Sequence, residues 1–117
     1  MNSEEIKKEP WRFLNNLPKN VTKEQWSALL EVKPHLLKML KEQDSELCKI
    51  AVSKNPNTLC LVHNQTEEIV LTAIENDTVG IALCYVRQQT EKIVKAALVK
   101  NKDSKYYVDT KFRYLVA

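Results

Sequence analysis

The chain has 117 residues, 44% of them hydrophobic and 28% charged, with a net charge of +3, which predicts one small globular domain and excludes wholesale disorder. Its single glycine, Gly80, argues against phosphate-binding loops, dinucleotide folds and hairpin-rich β folds, because these need glycine where the backbone turns sharply. With so little glycine we expect a mostly helical protein. No apolar run reaches the ~20 residues of a membrane span, and no signal-peptide core is present. Three cysteines without disulfide spacing favour free thiols, so we expect a cytoplasmic protein.

Residues 1–20 predict an N-terminal cap. A helical stretch there carries three large apolar residues, which we expect to cover the exposed end of the fold: Trp11, Phe13 and Leu14. Tryptophan is enriched at binding hot spots, but in so small a chain we expect Trp11 and Trp26 to cap the core.

Residues 21–42 predict a degenerate first repeat. Thr22 and Gln25 have the capping-box pattern at its start. Apolar residues at helical spacing follow, and Pro34 stands where a second, shorter helix begins.

Three further stretches repeat one another, each beginning with glutamine. They are residues 43–64, 65–88 and 89–110, with lengths of 22, 24 and 22, and the middle copy has two extra residues around Val79–Gly80. Counted from the glutamine, apolar residues recur at offsets 4, 5, 8 and 9, which is the pattern of a helix with one buried face. Offset 8 is always alanine, which allows a neighbouring helix to approach closely. These residues are Ala51, Ala73 and Ala97.

The first helix of each copy has start and stop signals. A residue with a side-chain oxygen follows the glutamine as N-cap, and acidic residues come next, near the positive end of the helix dipole. An Asn or Asp closes the helix, where we expect left-handed backbone. The N-caps are Asp44, Thr66 and Thr90, and the closing residues are Asn55, Asp77 and Asn101. The sequence therefore predicts an all-α, solenoid-like array of three to four helix-turn-helix repeats, with residues 111–117 as a C-terminal cap.

The stretch QTEEIVLTAI…ALCYVRQQTEKIVKAAL resembles the short helical repeats of the family named domain of unknown function 4116. Copies in that family read Gln-Thr-x-Glu-Ile-x-x-x-Ala-Val, then a polar turn, then Leu-x-Tyr-Val, and the resemblance covers about residues 43–110. The chain departs from the pattern at Asp44 and Ser45, near Gly80, and at Lys105. The resemblance implies an all-α repeat fold and supplies no catalytic residue or ligand. Because such repeats occur in bacterial, phage and giant-virus proteins, it favours a viral or mobile-element origin.

Two kinds of site are weighed for the cysteines. Cys60 and His63 form a Cys-x-x-His pair, to which His35 and Cys84 would add zinc ligands. The favoured alternative places Cys48, Cys60 and Cys84 on core columns of the repeats as small buried hydrophobes. We therefore predict no metal and no cofactor.

No catalytic motif stands out. A nucleophilic cysteine or serine needs a base and an orienting group, and neither a Gly-x-Ser-x-Gly nor a His-Glu-x-x-His pattern is present. Glu67 and Glu68 are paired carboxylates, but a first helical turn accounts for both. We predict that the chain is not an enzyme.

Charge is unevenly distributed along the chain, with +2 over residues 1–43, −4 over residues 44–86 and +5 over residues 87–117. The basic C-terminal segment also contains aromatic side chains, and this combination favours nucleic acid as an alternative partner. The competing interpretation is a solvated helix face, with Tyr106 and Tyr107 filling core columns. The residues concerned are Arg87, Lys92, Lys95, Lys100, Lys102, Lys105, Lys111 and Arg113, with Tyr106, Tyr107, Phe112 and Tyr114.

Protein binding is the favoured function, because the repeats differ at solvent columns. At offset 6 the copies have Lys49, Leu71 and Lys95, and Leu71 is the apolar exception. At offset 10, Val99 stands where the other copies have serine or glutamate. Apolar residues on polar columns mark contact patches. The predicted partner-binding residues are Leu71, Glu75, Arg87, Lys95 and Val99.

Overall fold

The structure, a computed structural model, describes residues 1–116, and in that part of the chain it contains helices and no β-strand. The prediction of an all-α fold is confirmed. Residues 1–116 form six α-helices (α1–α6) and five 3₁₀ helices (η1–η5). Their bounds are α1 Ser3–Lys8, α2 Pro10–Asn15, α3 Lys23–Val32, η1 Pro34–Met39, α4 Ser45–Lys54, η2 Pro56–Leu61, α5 Glu67–Glu75, η3 Ala82–Tyr85, α6 Glu91–Lys100, η4 Lys102–Tyr107 and η5 Thr110–Leu115.

The helices of residues 21–110 form two layers. The α-helices α3 to α6 pack side by side in chain order, and the 3₁₀ helices η1 to η4 do the same. Each predicted copy supplies one α-helix and the 3₁₀ helix that follows it. The fold measures 51 × 24 × 17 Å, and its radius of gyration of 15.9 Å exceeds the roughly 13 Å of a compact domain of this length. The chain is therefore an elongated stack with its core between the layers.

The 3₁₀ helices decide which side chains of the second layer are buried, because they have about three residues per turn. Leu59 and Val62 lie one such turn apart and are fully buried, whereas Cys60 between them is exposed. Leu83 and Val86 are the buried pair of the next copy. The position after the buried leucine therefore belongs to the outer face of this layer.

Each α-helix of the array begins at its predicted N-cap. The Thr66 hydroxyl accepts a hydrogen bond from a first-turn amide at 3.3 Å, and Asp44 and Thr90 cap their helices in the same way. Thr22 and Gln25 form the complete capping box. Each such cap stabilises its helix by about 1 kcal/mol, so the starting points of these short helices are set locally.

The helix ends differ from the predicted left-handed backbone. The φ angles of Asn55 and Asn101 are −147° and −154°, which is extended backbone, and among residues 1–116 only Gly80 has a positive φ. The Asn55 side chain accepts a hydrogen bond from the Asn57 amide at 3.0 Å, and Asn101 does the same for Asp103 at 2.9 Å. The shared asparagine therefore starts the following 3₁₀ helix through an Asx-type bond.

The glutamine that opens each copy joins consecutive 3₁₀ helices. Gln65 Nε2 donates hydrogen bonds to the carbonyls of Leu59 in η2 and Tyr85 in η3, both at 2.9 Å. Gln65 Oε1 accepts a hydrogen bond from the Arg87 amide, also at 2.9 Å. The same three bonds recur one copy earlier and one copy later, at Gln43 and Gln89. The repeated glutamine is therefore a structural link between neighbouring repeats.

The N-terminal cap consists of two helices, because Pro10 has no amide to donate and begins α2 as its first residue. Phe13 is buried and Leu14 packs partly against the core, as predicted. Trp11 is 57% exposed, so the prediction that it covers the core is wrong. Ile6 of α1 is fully buried instead, since α1 lies directly against α3.

The C-terminal cap is η5, which packs against α6. Phe112, Leu115 and Val116 are partly buried against the core there, while Ala117, the last residue of the predicted cap, lies outside the described residues. In the first repeat Trp26 is partly buried in the same way, as predicted.

The two extra residues of copy 65–88 form a turn around a buried carboxylate. Asp77 is 4% exposed, and its Oδ1 accepts hydrogen bonds from the amides of Val79 at 3.2 Å and Gly80 at 3.0 Å. Its Oδ2 accepts a third from the Ala82 amide at 2.8 Å. Gly80 has a φ of +81°, and a Cβ there would lie 3.0 Å from Asn101 Cγ. The inserted turn is thus packed tightly onto the next repeat.

The alanine column is buried where neighbouring α-helices meet, which makes Ala73 a test of the packing. Ala73 has no exposed surface. We expect Ala73→Leu to lower the free energy of unfolding by about 1–3 kcal/mol, because added methyl groups overpack a close helix contact. Urea denaturation followed by circular dichroism measures this loss. Ala96→Leu at a half-exposed site is the control, and an equal loss in both variants would contradict close packing at Ala73.

Candidate functional site

Four of the five predicted partner-binding residues line one groove between α5 and α6. Leu71 and Glu75 come from α5, and Lys95 and Val99 come from α6. The groove has a volume of about 400 Å³. Val99 is 89% exposed, whereas Leu71 is half-buried. The remaining lining residues are Ile74, Ala96 and Lys100.

The helical period brings these side chains together. Leu71 and Glu75 are four residues apart, as are Lys95 and Val99, so each pair lies on one face of its helix. Because α5 and α6 are consecutive repeats in the same layer, the two faces meet at the groove. The sequence does not predict Ile74, Ala96 or Lys100 as partner-binding residues, although Lys100 is one of the basic residues weighed for nucleic acid. Their spacing from Leu71 and Val99 on the same helices was the available signal.

The groove has an apolar lining with charges of both signs at its rim. Lys95 Nζ lies 2.7 Å from Glu91 Oε1, one turn earlier on α6. This hydrogen bond raises the pKa of Lys95 and lowers the pKa of Glu91. Both groups face solvent, which screens the attraction. Glu75 and Lys100 form no ion pair within residues 1–116, so both charges are available to a partner.

Arg87, the fifth predicted residue, lies in the other layer. Its Nη1 donates a hydrogen bond to the Val62 carbonyl at 2.6 Å, and its Nη2 donates to the Cys60 carbonyl at 3.1 Å. These carbonyls lie at the C-terminal end of η2, where a cation is favourable. The structure therefore gives Arg87 a bridging contact between repeats and does not bring it to the groove.

Four positions that the sequence predicts as core lie instead on the outer face of the 3₁₀ layer. Cys60 and Cys84 are exposed, Tyr106 is 71% exposed and Tyr107 is 38% exposed. The prediction treated these columns as faces of a second α-helix, whereas the tighter 3₁₀ turn directs them outward. Cys48, in α4, is buried as predicted, and burial raises the pKa of its thiol.

The cysteines and histidines do not assemble into a metal site in the described part of the chain. No group of three or more His, Cys, Asp or Glu side chains there is placed to hold an ion. The zinc ligands weighed from the sequence, His35, Cys60, His63 and Cys84, are therefore not brought together. Likewise, none of the helices within residues 1–116 combines the length and apolar character needed to cross a membrane.

Comparison with known proteins adds no constraint on the site. No family model, curated protein or solved structure matches the chain. The resemblance to the domain of unknown function 4116 repeats thus stays a prediction from the sequence, and the groove is interpreted from its own residues.

Proposed function

We propose that this chain is a non-catalytic protein-interaction module, acting as an adaptor or as an inhibitor of another macromolecule, which docks a partner protein at the α5–α6 groove. The supporting observation is the groove itself. Leu71, Ile74 and Val99 give it an apolar lining, while Glu75 and Lys95 place opposite charges at its rim. An apolar centre with a polar rim is the usual anatomy of a protein interface.

The chemistry of the groove favours a partner protein over other ligands. A small-molecule site holds a few convergent polar groups that orient its ligand, and here the charged groups stand at the rim. The Glu75 carboxylate disfavours a phosphate backbone at the same place. A groove between two helices suits an amphipathic helix of the partner, which inserts apolar side chains between α5 and α6.

The residues of the groove differ between repeats, which is expected of a specific contact. At the matched offsets, Leu71 stands where copy 43–64 has Lys49, and Val99 stands where copies 43–64 and 65–88 have Ser53 and Glu75. The resemblance stated above adds one concrete version of the proposal, in which a phage or mobile-element protein blocks a bacterial enzyme or defence complex.

We expect Val99→Glu and Val99→Lys each to weaken partner binding about tenfold or more, because both place a charge where an apolar side chain is buried on binding. Val99 is 89% exposed in the free protein, so neither change disturbs the fold. The measurement is affinity capture from a lysate of the native host with quantitative mass spectrometry. A captured candidate is then purified, and its dissociation constant is measured with each variant.

The matched control is Val32→Glu, at an apolar residue of α3 that is 41% exposed and lies outside the groove. The proposal requires a protein that wild type and Val32→Glu bind equally and that both Val99 variants lose. If Val99→Glu binds every captured protein as tightly as wild type does, the groove is not the docking site.

A further inference from the structure

The outer face of the 3₁₀ layer carries an apolar row. The last residue of each 3₁₀ helix from η1 to η4 is partly or largely exposed. These residues are Met39, Leu61, Tyr85 and Tyr107. Because η1 to η4 pack in order, the four side chains follow one another along the stack. We call this set the 3₁₀-face row. Its C-terminal half is aromatic, and Tyr106 lies beside it with 71% of its surface exposed.

Folding also separates charge between the layers. The segments that carry the 3₁₀ helices, residues 33–43, 55–65, 77–89 and 101–116, contain eight basic and four acidic side chains. The segments that carry α3 to α6, residues 21–32, 44–54, 66–76 and 90–100, contain six basic and eight acidic side chains. A charge asymmetry that follows the chain in the sequence thus becomes a positive 3₁₀ face opposite a negative α-helical face.

The basic side chains of the 3₁₀ segments are not neutralised within the described chain. In the α-helical layer, Lys49 and Lys92 pair with Glu68 and Glu67 of the neighbouring helix, each at 2.7 Å. None of the eight basic residues in the 3₁₀ segments forms a salt bridge with a residue among 1–116. Arg87 donates to backbone carbonyls instead. The positive charge of this face therefore remains available to an anionic partner.

Exposed tyrosine rings and cations occur together at the C-terminal end of this face. Lys105 Nζ lies 5.3 Å from the centroid of the Tyr106 ring, so one site offers a flat ring and a positive charge. Single-stranded nucleic acid uses both features, because its unpaired bases stack on aromatic rings and its phosphates contact basic side chains. A duplex keeps its bases stacked internally, and the Asp and Glu side chains of an acidic protein segment have no aromatic ring to stack on the tyrosines.

We infer that the C-terminal end of the 3₁₀ layer, together with η5 of the adjoining cap, binds single-stranded nucleic acid. Tyr85, Tyr106 and Tyr107 stack bases there, and basic residues contact the phosphates, chiefly Arg87, Lys105 and Lys111. This site lies in the opposite layer from the α5–α6 groove, so it goes beyond the proposed function and does not depend on it.

The test is fluorescence anisotropy of fluorescein-labelled 12-nucleotide single strands, dT and mixed sequence, titrated with the full chain. With about three phosphates neutralised, affinity should fall roughly 20-fold between 50 and 200 mM NaCl. Tyr106→Ala should weaken binding about tenfold, while Tyr106→Phe, which keeps the ring, should bind as wild type does. Lys105→Gln should weaken binding and reduce the salt dependence.

The controls are residues of the same types on other surfaces. Trp11→Ala removes an exposed aromatic from the N-terminal cap, and Lys54→Gln removes an exposed cation from α4, so neither should change the affinity. Val99→Glu should also bind the oligonucleotide normally, which separates this site from the groove. The inference is overturned by any one of three results. These are no salt-sensitive binding, an equal loss in Trp11→Ala and Tyr106→Ala, or displacement of the oligonucleotide by an equal concentration of a polyglutamate peptide, which would indicate an acidic protein segment instead.

Discussion

Replacing Gln65 with alanine should lower the free energy of unfolding by about 2–3 kcal/mol, although the residue lies outside every helix. The Gln65 side chain makes three hydrogen bonds of 2.9 Å to backbone groups of two different 3₁₀ helices and their flanks. Alanine makes none of them. Because the same link recurs at Gln43 and Gln89, the loss should also reduce the cooperativity with which the repeats unfold together.

The three backbone partners of Gln65 are not affected equally. The Leu59 carbonyl still accepts a hydrogen bond from the Val62 amide at 3.1 Å. The Tyr85 carbonyl and the Arg87 amide have Gln65 as the partner that joins them to the preceding repeat. The bond to the Tyr85 carbonyl is partly buried, and a buried group left without a partner costs about 1–3 kcal/mol, whereas the exposed Arg87 amide can bind water. The Tyr85 carbonyl therefore accounts for most of the expected loss.

Gln88, which directly precedes the linking residue Gln89, provides the control for this prediction. Gln88 is exposed, and its side chain makes no hydrogen bond to a described residue, so Gln88→Ala should change the stability by less than about 0.5 kcal/mol. Gln65→Glu keeps the acceptor but turns a carboxylate oxygen toward the Leu59 and Tyr85 carbonyl oxygens, so its stability should be no higher than that of Gln65→Ala. Urea denaturation compares the three variants. A Gln65→Ala transition that coincides with that of Gln88→Ala would show that the link does not stabilise the array.

The first α-helix of each repeat could be predicted, because the sequence signals for its buried face and its start are local. The apolar offsets within each copy identify one buried face of a helix, and Ala51, Ala73 and Ala97 are all buried on it. Side-chain oxygens next to the opening glutamines identify the N-caps, because a cap bonds within its own first turn. Packing of one copy on the next follows from the buried stripe, since helices this short do not persist alone.

The 3₁₀ layer could not be predicted in the same detail. A short segment does not reveal which helix type it forms, and the hydrogen-bond partners that fix this layer lie far away along the chain. A six-residue segment such as PNTLCL fits either helix type, and the burial of Cys60 reverses between the two. The role of Gln65 depends on carbonyl and amide groups up to 22 residues away. The apolar side chain of Trp11 predicts that it covers the exposed end of the fold, whereas the break at Pro10 leaves it exposed.

The candidate groove was partly predictable for a related reason. Leu71 and Val99 are apolar exceptions to polar columns, and the structure brings them to one groove because they lie on facing sides of neighbouring helices. The prediction for Arg87 rests on its charge alone. The sequence does not show that its guanidinium is bound to the Val62 and Cys60 carbonyls.

Replacing Asp77 with alanine should have the largest effect on stability, with a loss of about 3–4 kcal/mol in the free energy of unfolding. The carboxylate is almost completely buried and accepts hydrogen bonds from the amides of Val79, Gly80 and Ala82. Alanine leaves three amides of one turn without a partner, two of them buried. Since this turn packs on Asn101 through Gly80, its loss should also loosen the contact between the last two repeats.

Two further variants determine whether the carboxylate itself is responsible. Asp77→Asn retains the oxygen that faces Val79 and Gly80, but it turns an amide donor toward the Ala82 N–H, so about half of the loss should remain. Asp109→Ala removes an exposed carboxylate that makes no cap bond to η5, and it should be nearly neutral. Because wild type and Asp77→Ala differ by buried hydrogen bonds and not by surface charge, the difference in urea midpoint between them should persist in 0.5 M NaCl. If the difference in urea midpoint disappears in 0.5 M NaCl, the loss of stability arises from long-range electrostatics. That result would contradict the role given to the turn.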